Sequence, residues 1–173
     1  MSRELEDGIS DIEQTIYGHA EREFNISSPS QLAEVLFDEM GLPTHGIKKG
    51  KTSYSTAASE LNKLRGYHPI INLISQYREL TKLKSTYVDT LPKDVAGDGR
   101  VHTTFNLTIA QTGRLSSTDP NLQNIPIRSE VGKKIRNAFV AAKGHSFISA
   151  DYSQFELRLE ALLGATAVGA ALV

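Results

Sequence analysis

Cysteine is absent from the 173 residues, so neither a disulfide framework nor a thiolate zinc site is available, and a reducing compartment is the natural setting. Long apolar runs are absent too. None approaches the roughly 20 residues that span a bilayer, and Met1-Ser2-Arg3-Glu4-Leu5-Glu6 lacks the basic-then-apolar layout of a secretory signal. These absences leave no membrane-spanning segment and imply no redox chemistry, and a cytosolic protein is expected. Net charge is also nearly absent, at −1. The length suits one ordinary domain or two small ones.

The small net charge conceals an asymmetry. Residues 1–40 carry 10 acids against 2 arginines, or −8, whereas residues 41–173 carry 17 Lys or Arg against 10 acids, or +7. A basic segment joined to an acidic one suits a polyanion on one face only, because phosphate neutralisation needs clustered cations.

Leu5, Ile9, Ile12 and Ile16 recur at helical spacing, which predicts a first helix with a wet acidic side. Ser28 as cap, Pro29 in the first turn and Gln31 closing a capping box predict a second, with Leu32, Val35, Leu36 and Met40 buried and Gly41 and Pro43 ending it. The Gly-, Lys- and hydroxyl-rich stretch 45–55 predicts an exposed, mobile loop with almost nothing to bury. A short helix is expected over 56–65, stopped by Gly66. Pro69 then starts a longer one that turns Ile70, Leu73, Ile74, Tyr77 and Leu80 inward. A boundary falls near Pro92. Beyond it, Val101 to Phe105 alternates like a strand, 132–138 reads as a short basic helix, and 146–150 reads as a buried strand ending at Asp151. A final helix over 154–163 places Phe155, Leu159 and Leu162 on one face. No internal repeat is found.

Asp151, a carboxylate closing an apolar strand, is a candidate Mg²⁺ ligand: the sheet would fix it while the next turn leaves room for phosphate oxygens. Capping of the turn that follows is the competing role. The stretch 112–128 is too polar to pack and suits a strand or loop lying against DNA. Its Arg114, Asn121, Gln123 and Asn124 could reach minor-groove acceptors that every correct base pair presents alike. Asn and Gln satisfying their own backbone is the alternative. Lys51, Ser53, Ser55 and Thr56, at the start of a helix, are phosphate candidates.

The run Asp151-Tyr152-Ser153-Gln154-Phe155-Glu156-Leu157-Arg158, with Thr112-Gly113-Arg114-Leu115-Ser116-Ser117 and Pro120-Asn121-Leu122-Gln123-Asn124-Ile125-Pro126 upstream, closely resembles the palm of a family A DNA polymerase, the bacterial DNA polymerase I type. The resemblance runs from about Phe24 to Leu163 and includes Tyr77 to Tyr87, which is similar to the family's thumb helix. It implies a DNA-directed DNA polymerase that uses two Mg²⁺ ions, primer-template DNA and deoxynucleoside triphosphates. By the same token it implies a monomeric, cytoplasmic, nucleoid-associated bacterial enzyme. Carried over residue by residue, Asp151 holds metal with the Tyr152 carbonyl, and Tyr152, Ser153, Gln154 and Glu156 meet the nucleotide. Glu156 would fill the space of a 2′-hydroxyl. Arg128 would meet phosphate, and Lys82, Lys84 and Ser85 would line the duplex. Arg158 is assigned a buried structural role as partner of a carboxylate.

Phe155 stands where the family has Ile, Glu160 and Leu162 depart from it, and 164–173 are unlike it. The fingers helix and the His-Asp-Glu turn with the second metal carboxylate are not encoded. The expected fold is therefore α+β: a helical thumb (1–92) beside part of an antiparallel palm sheet (93–173), cut at both ends, with an open sheet edge that lowers stability. The expected function is that of a polymerase fragment inactive alone. The alternative is a non-catalytic duplex-binding module or a degenerate gene product.

Overall fold

The computed structural model describes residues 1–127 and 129–170, with side chains described up to residue 164. Two compact units result, Met1–Ala138 and Phe139–Val173.

In the first unit, helix α1 (Ser2–Ala20) buries Leu5 and Ile16 and packs along α4 (Ile70–Leu83). Helix α2 (Pro29–Ala33) starts at Ser28, whose hydroxyl accepts from the Gln31 N–H as expected. The other half of the capping box differs. Gln31 Oε1 accepts from the Asn25 N–H at 2.8 Å, tying down the chain ahead of the cap instead of the cap's own amide. The helix widens into π-helical turns over Glu34–Glu39, which brings Phe37 into the core beside Val35 and Leu36. Met40 is only partly buried, and Gly41 leaves the helix at φ 64°, a left-handed conformation that costs glycine little.

Ile26, Leu32, Val35, Leu36, Leu61, Leu64, Ile70, Ile71 and Ile74 form the centre of the core. Ile71 escapes the single-stripe reading of α4, because this helix is covered on more than one side. The α4 axis continues as π-helical turns over Lys84–Val88, ending where Asp89 accepts from the Lys84 ammonium and the Ser2 hydroxyl, each at 2.8 Å.

Past Pro92 the chain becomes mixed. Strand β1 (Thr104–Asn106) pairs antiparallel with β2 (Ser116–Thr118), Thr104 opposite Thr118 and Asn106 opposite Ser116. The expected strand from Val101 is thus shifted three residues along; Val101 itself makes an isolated bridge with Val95. Helix α5 (Glu130–Asn137) is capped by Ser129, whose hydroxyl accepts from the Gly132 N–H.

The second unit contains α6 (Phe155–Ala170). The buried strand expected over 146–150 does not form: the segment is irregular and exposed, with Ile148 at 93%. A strand is stable only when its amides find a neighbour and its apolar face a cover, and no described strand pairs with this one. Phe155, Leu159 and Leu162 are likewise exposed rather than turned to a core. Among the described residues, no helix is long and apolar enough to cross a membrane.

Candidate functional site

The basic stretch 45–55 is a tight hairpin rather than a loose loop. Lys49 bridges Tyr54, Gly50 N–H donates to the Ser53 carbonyl at 2.8 Å, and Ser55 N–H donates to the Lys48 carbonyl at 2.8 Å. Contrary to the sequence reading, it has something to bury. Ile47 enters the core, and the Tyr54 ring packs 5.4 Å from Phe37 with the Lys49 ammonium over it. Glu60 closes the base, accepting from Lys48 N–H at 2.9 Å and from Lys63 Nζ at 2.7 Å, and these donors hold its carboxyl below the usual range. Lys51 is exposed at the tip. Ser55 Oγ accepts from Ala57 N–H ahead of α3 (Ala58–Leu61), a helix shorter than expected that continues as a 3₁₀ turn. Thr56 is 4% exposed and its carbonyl accepts from Arg78, so little of it remains to meet a phosphate.

Lys82 in the last turn of α4 and Ser85 on its extension are exposed. Lys84 is half-buried, and its charge is already paired with Asp89.

The stretch 112–127 supplies β2 and then a loop whose two ends are fixed differently. At the first end, the Ser117 hydroxyl is fully buried and lies 2.7 Å from Thr103 Oγ1. Thr103 Oγ1 is within bonding distance of the Thr118 and Pro120 carbonyls, and Ser117 Oγ accepts from Leu122 N–H. At the far end, Ile125 is buried and the Pro126 backbone rests so closely on Gly132 of α5 that a methyl group there would overlap its carbonyl.

Between these anchors Asn121, Gln123 and Asn124 are exposed. Asn121 Oδ1 accepts from Gln123 N–H at 3.0 Å, so part of the self-satisfied alternative is realised, and the amide NH₂ remains as that side chain's donor. Asn121 also borders a cleft of about 620 Å³ that Thr86, Thr90 and Asp94 line from the helical side and His102 and Ser117 from the strand side. Sequence reasoning missed Ser117 and Thr103, since hydroxyls in a polar run carry no signal of burial. Arg114 is exposed; Arg128 lies outside the described residues.

In the second unit, Asp151, Tyr152, Ser153, Gln154 and Glu156 are all exposed. Gln154, at φ 55°, is the residue before α6, so Asp151 lies too far back to cap that helix. Glu156 sits in the first turn, where the helix dipole favours an anion. Arg158 is not buried against a carboxylate as expected: it is exposed, and its Nε donates to the Ser153 carbonyl at 3.1 Å, bracing the turn that carries Asp151 to Gln154. Among the described residues, no three acidic or histidine side chains gather as a metal site.

The chain is similar to known proteins along most of its length. The DNA polymerase I of Synechocystis sp. is 51% identical over 164 residues, 94% of this chain and 17% of the relative. That of Bacillus caldotenax is 53% identical over 162 residues, 92% of this chain and 18% of the relative. The chain thus spans under a fifth of the length of these relatives. The POL domain of Pol1 from M. smegmatis, solved in complex with DNA primer-template and dNTP, superposes with a TM-score of 0.79 at 48% identity over 91% of this chain and 28% of its own. The family model for DNA polymerase family A matches residues 1–167, reaching further toward the N-terminus than the motifs alone did. With its family model matched over nearly its whole length, the chain belongs to DNA polymerase family A.

Proposed function

We propose that this chain serves template-directed addition of deoxynucleotides to a primer 3′ end, residues 1–92 acting as thumb and 93–173 as the first part of the palm. One observation carries the reading: the likeness, at 48% identity, to a polymerase domain held with DNA primer-template and dNTP. Arg114, Asn121, Gln123 and Asn124 donate to minor-groove acceptors, which tests pair shape without reading sequence. Lys51, Ser53 and Ser55 meet backbone phosphates with Thr56 at their base. Lys82, Lys84 and Ser85 lie along the duplex, and Arg128 adds a phosphate contact. Tyr152, Ser153 and Gln154 line the nucleotide, and Glu156 occupies the space of a 2′-hydroxyl and so excludes ribonucleotides.

The family's chemistry is metal-dependent, and the donors present suit Mg²⁺ in kind. The Asp151 carboxylate and the Tyr152 carbonyl are hard oxygens, and Mg²⁺ commonly completes its shell with water and triphosphate oxygens. When bound, a pair of such ions supplies activation of the primer hydroxyl and neutralisation of the departing pyrophosphate. The alternative reading, for the chain by itself, is duplex binding without catalysis. A monomeric, cytoplasmic, nucleoid-associated protein is part of the same reading.

The test is a graft. Residues 1–164 replace the matching segment of the Bacillus caldotenax polymerase, and primer extension is followed with Mg²⁺. Extension that Asp151→Ala abolishes, with ribonucleotide use rising in Glu156→Ala, is the expected result. An active graft indifferent to Asp151→Ala would overturn the assignment.

A further inference from the structure

The loop that carries Asn121 and Gln123 is held by a hydroxyl pair, Ser117 buried and Thr103 partly buried, and we propose that Thr103 and Ser117 are positioning residues for duplex recognition. The inference rests on the proposed DNA contacts of that loop and deepens them.

Two hydroxyls supply two hydrogens. Thr103 Oγ1 and Ser117 Oγ stand 2.7 Å apart, so one donates to the other. Thr103 Oγ1 is 2.8 Å from the Pro120 carbonyl and 3.0 Å from that of Thr118, and Ser117 Oγ is 3.3 Å from the Pro120 carbonyl. Leu122 N–H donates into Ser117 Oγ at 3.1 Å. The pair therefore holds a carbonyl just before Asn121 and an amide just after it, while Asn121 Oδ1 receives Gln123 N–H. Ser117 is fully buried; without the Thr103 hydroxyl the Pro120 carbonyl loses its 2.8 Å bond from Thr103 Oγ1 and keeps only the 3.3 Å contact with Ser117 Oγ, so the carbonyl ahead of Asn121 is held less firmly. With the Pro126 end seated on Gly132, the loop has little freedom except what this pair removes. Pre-setting Asn121 and Gln123 spares the ordering cost that would otherwise fall on binding.

Thr103→Val removes one hydroxyl at nearly constant shape, and Thr103→Ser restores it. Binding of a fluorescent primer-template duplex by the full chain is measured for each, alone and combined with Asn121→Ala, with circular dichroism checking that the fold persists. Thr103→Val is expected to weaken binding roughly tenfold; Thr103→Ser stays near the parent, and Thr103→Val adds little once Asn121 is Ala. Losses that multiply in the double variant would overturn the proposal, because a general loss of fold does not act through Asn121. If the parent chain binds no duplex, the polymerase reading of the loop fails on its own terms. The clamp is then judged by hydrogen exchange at Leu122: protection lost in Thr103→Val and kept in Thr103→Ser supports it, and unchanged protection overturns it.

Discussion

Arg78 Nη1 donates to the carbonyl of Thr56 at 2.6 Å, joining the long helix α4 to the foot of the basic hairpin across 22 residues of sequence. Burial lowers the guanidinium's proton affinity, yet arginine stays charged throughout the accessible pH range. A charge-assisted bond of this kind to an otherwise buried carbonyl stabilises more than a neutral one. Arg78→Met keeps much of the stem's packing and leaves the carbonyl orphaned. Its expected cost is about 1–3 kcal/mol in urea unfolding. A loss within error would show the bond to be incidental.

Two glycines should respond to alanine with opposite signs. Gly132 faces the Pro126 backbone at a distance that leaves no room for a methyl group, so Gly132→Ala is expected to destabilise by roughly 1–3 kcal/mol. Gly8 lies within α1 with nothing near a new Cβ, so Gly8→Ala is expected to stabilise by about 0.5–1 kcal/mol. Thermal unfolding of the two variants checks both signs.

Acid should weaken the first unit. Lys63 with Lys48 N–H depresses Glu60, Arg22 depresses Glu39, and Lys84 with Ser2 depresses Asp89, from ordinary values of 4.5 for the glutamates and 3.8 for the aspartate. A carboxyl depressed on folding contributes stability that is fully present above its unfolded value and is lost as pH falls through its folded value. Stability is therefore expected to be flat from neutral pH down to about 5 and to fall below about 4. Glu39 is exposed while Glu60 and Asp89 are only partly so, so 0.5 M salt should blunt mainly the Arg22–Glu39 share of the fall. A decline that begins near pH 6 would contradict this assignment.

The cations should differ in their salt signatures. Lys51 is exposed at the hairpin tip, whereas Lys84 is committed to Asp89. If each released counterion registers in the salt slope of duplex binding, Lys51→Ala lowers that slope by about 1. Lys84→Ala lowers it by less, and its main effect appears as lost stability where Ser2, Lys84 and Asp89 meet. Equal slopes for the two variants would mean that the Lys84–Asp89 pair opens on DNA.

Much of this was legible in the residues. Ser28 and Gly41 marked both ends of the second helical segment, and the apolar spacing of α1 and α4 placed Ile16, Ile70 and Ile74 in the core. The shortfalls share a cause: the information lay in a neighbour. Ile47 and Tyr54 sit in a polar run, and Ile47 is buried and Tyr54 partly buried because Phe37 and the core lie beneath them. Ile148 reads as a strand residue, but a strand is a pairing, and no described partner meets it. Gln31 was read as a capping residue, yet the amide it accepts from is that of Asn25, six residues back. The residues named for chemistry, Asp151 and Glu156 among them, are placed by the motif's likeness to a family more than by any local pattern.

The loop at Asn121 to Asn124 and the hairpin at Lys51 are proposed above as a surface for duplex DNA. The most direct test is a titration of a labelled primer-template duplex with the full chain, followed by fluorescence anisotropy at several salt concentrations. The account predicts saturable binding that weakens with salt and is further weakened by Asn121→Ala, Arg114→Ala and Lys51→Ala. Absence of binding at low salt, or binding that all three substitutions leave unchanged, would contradict it.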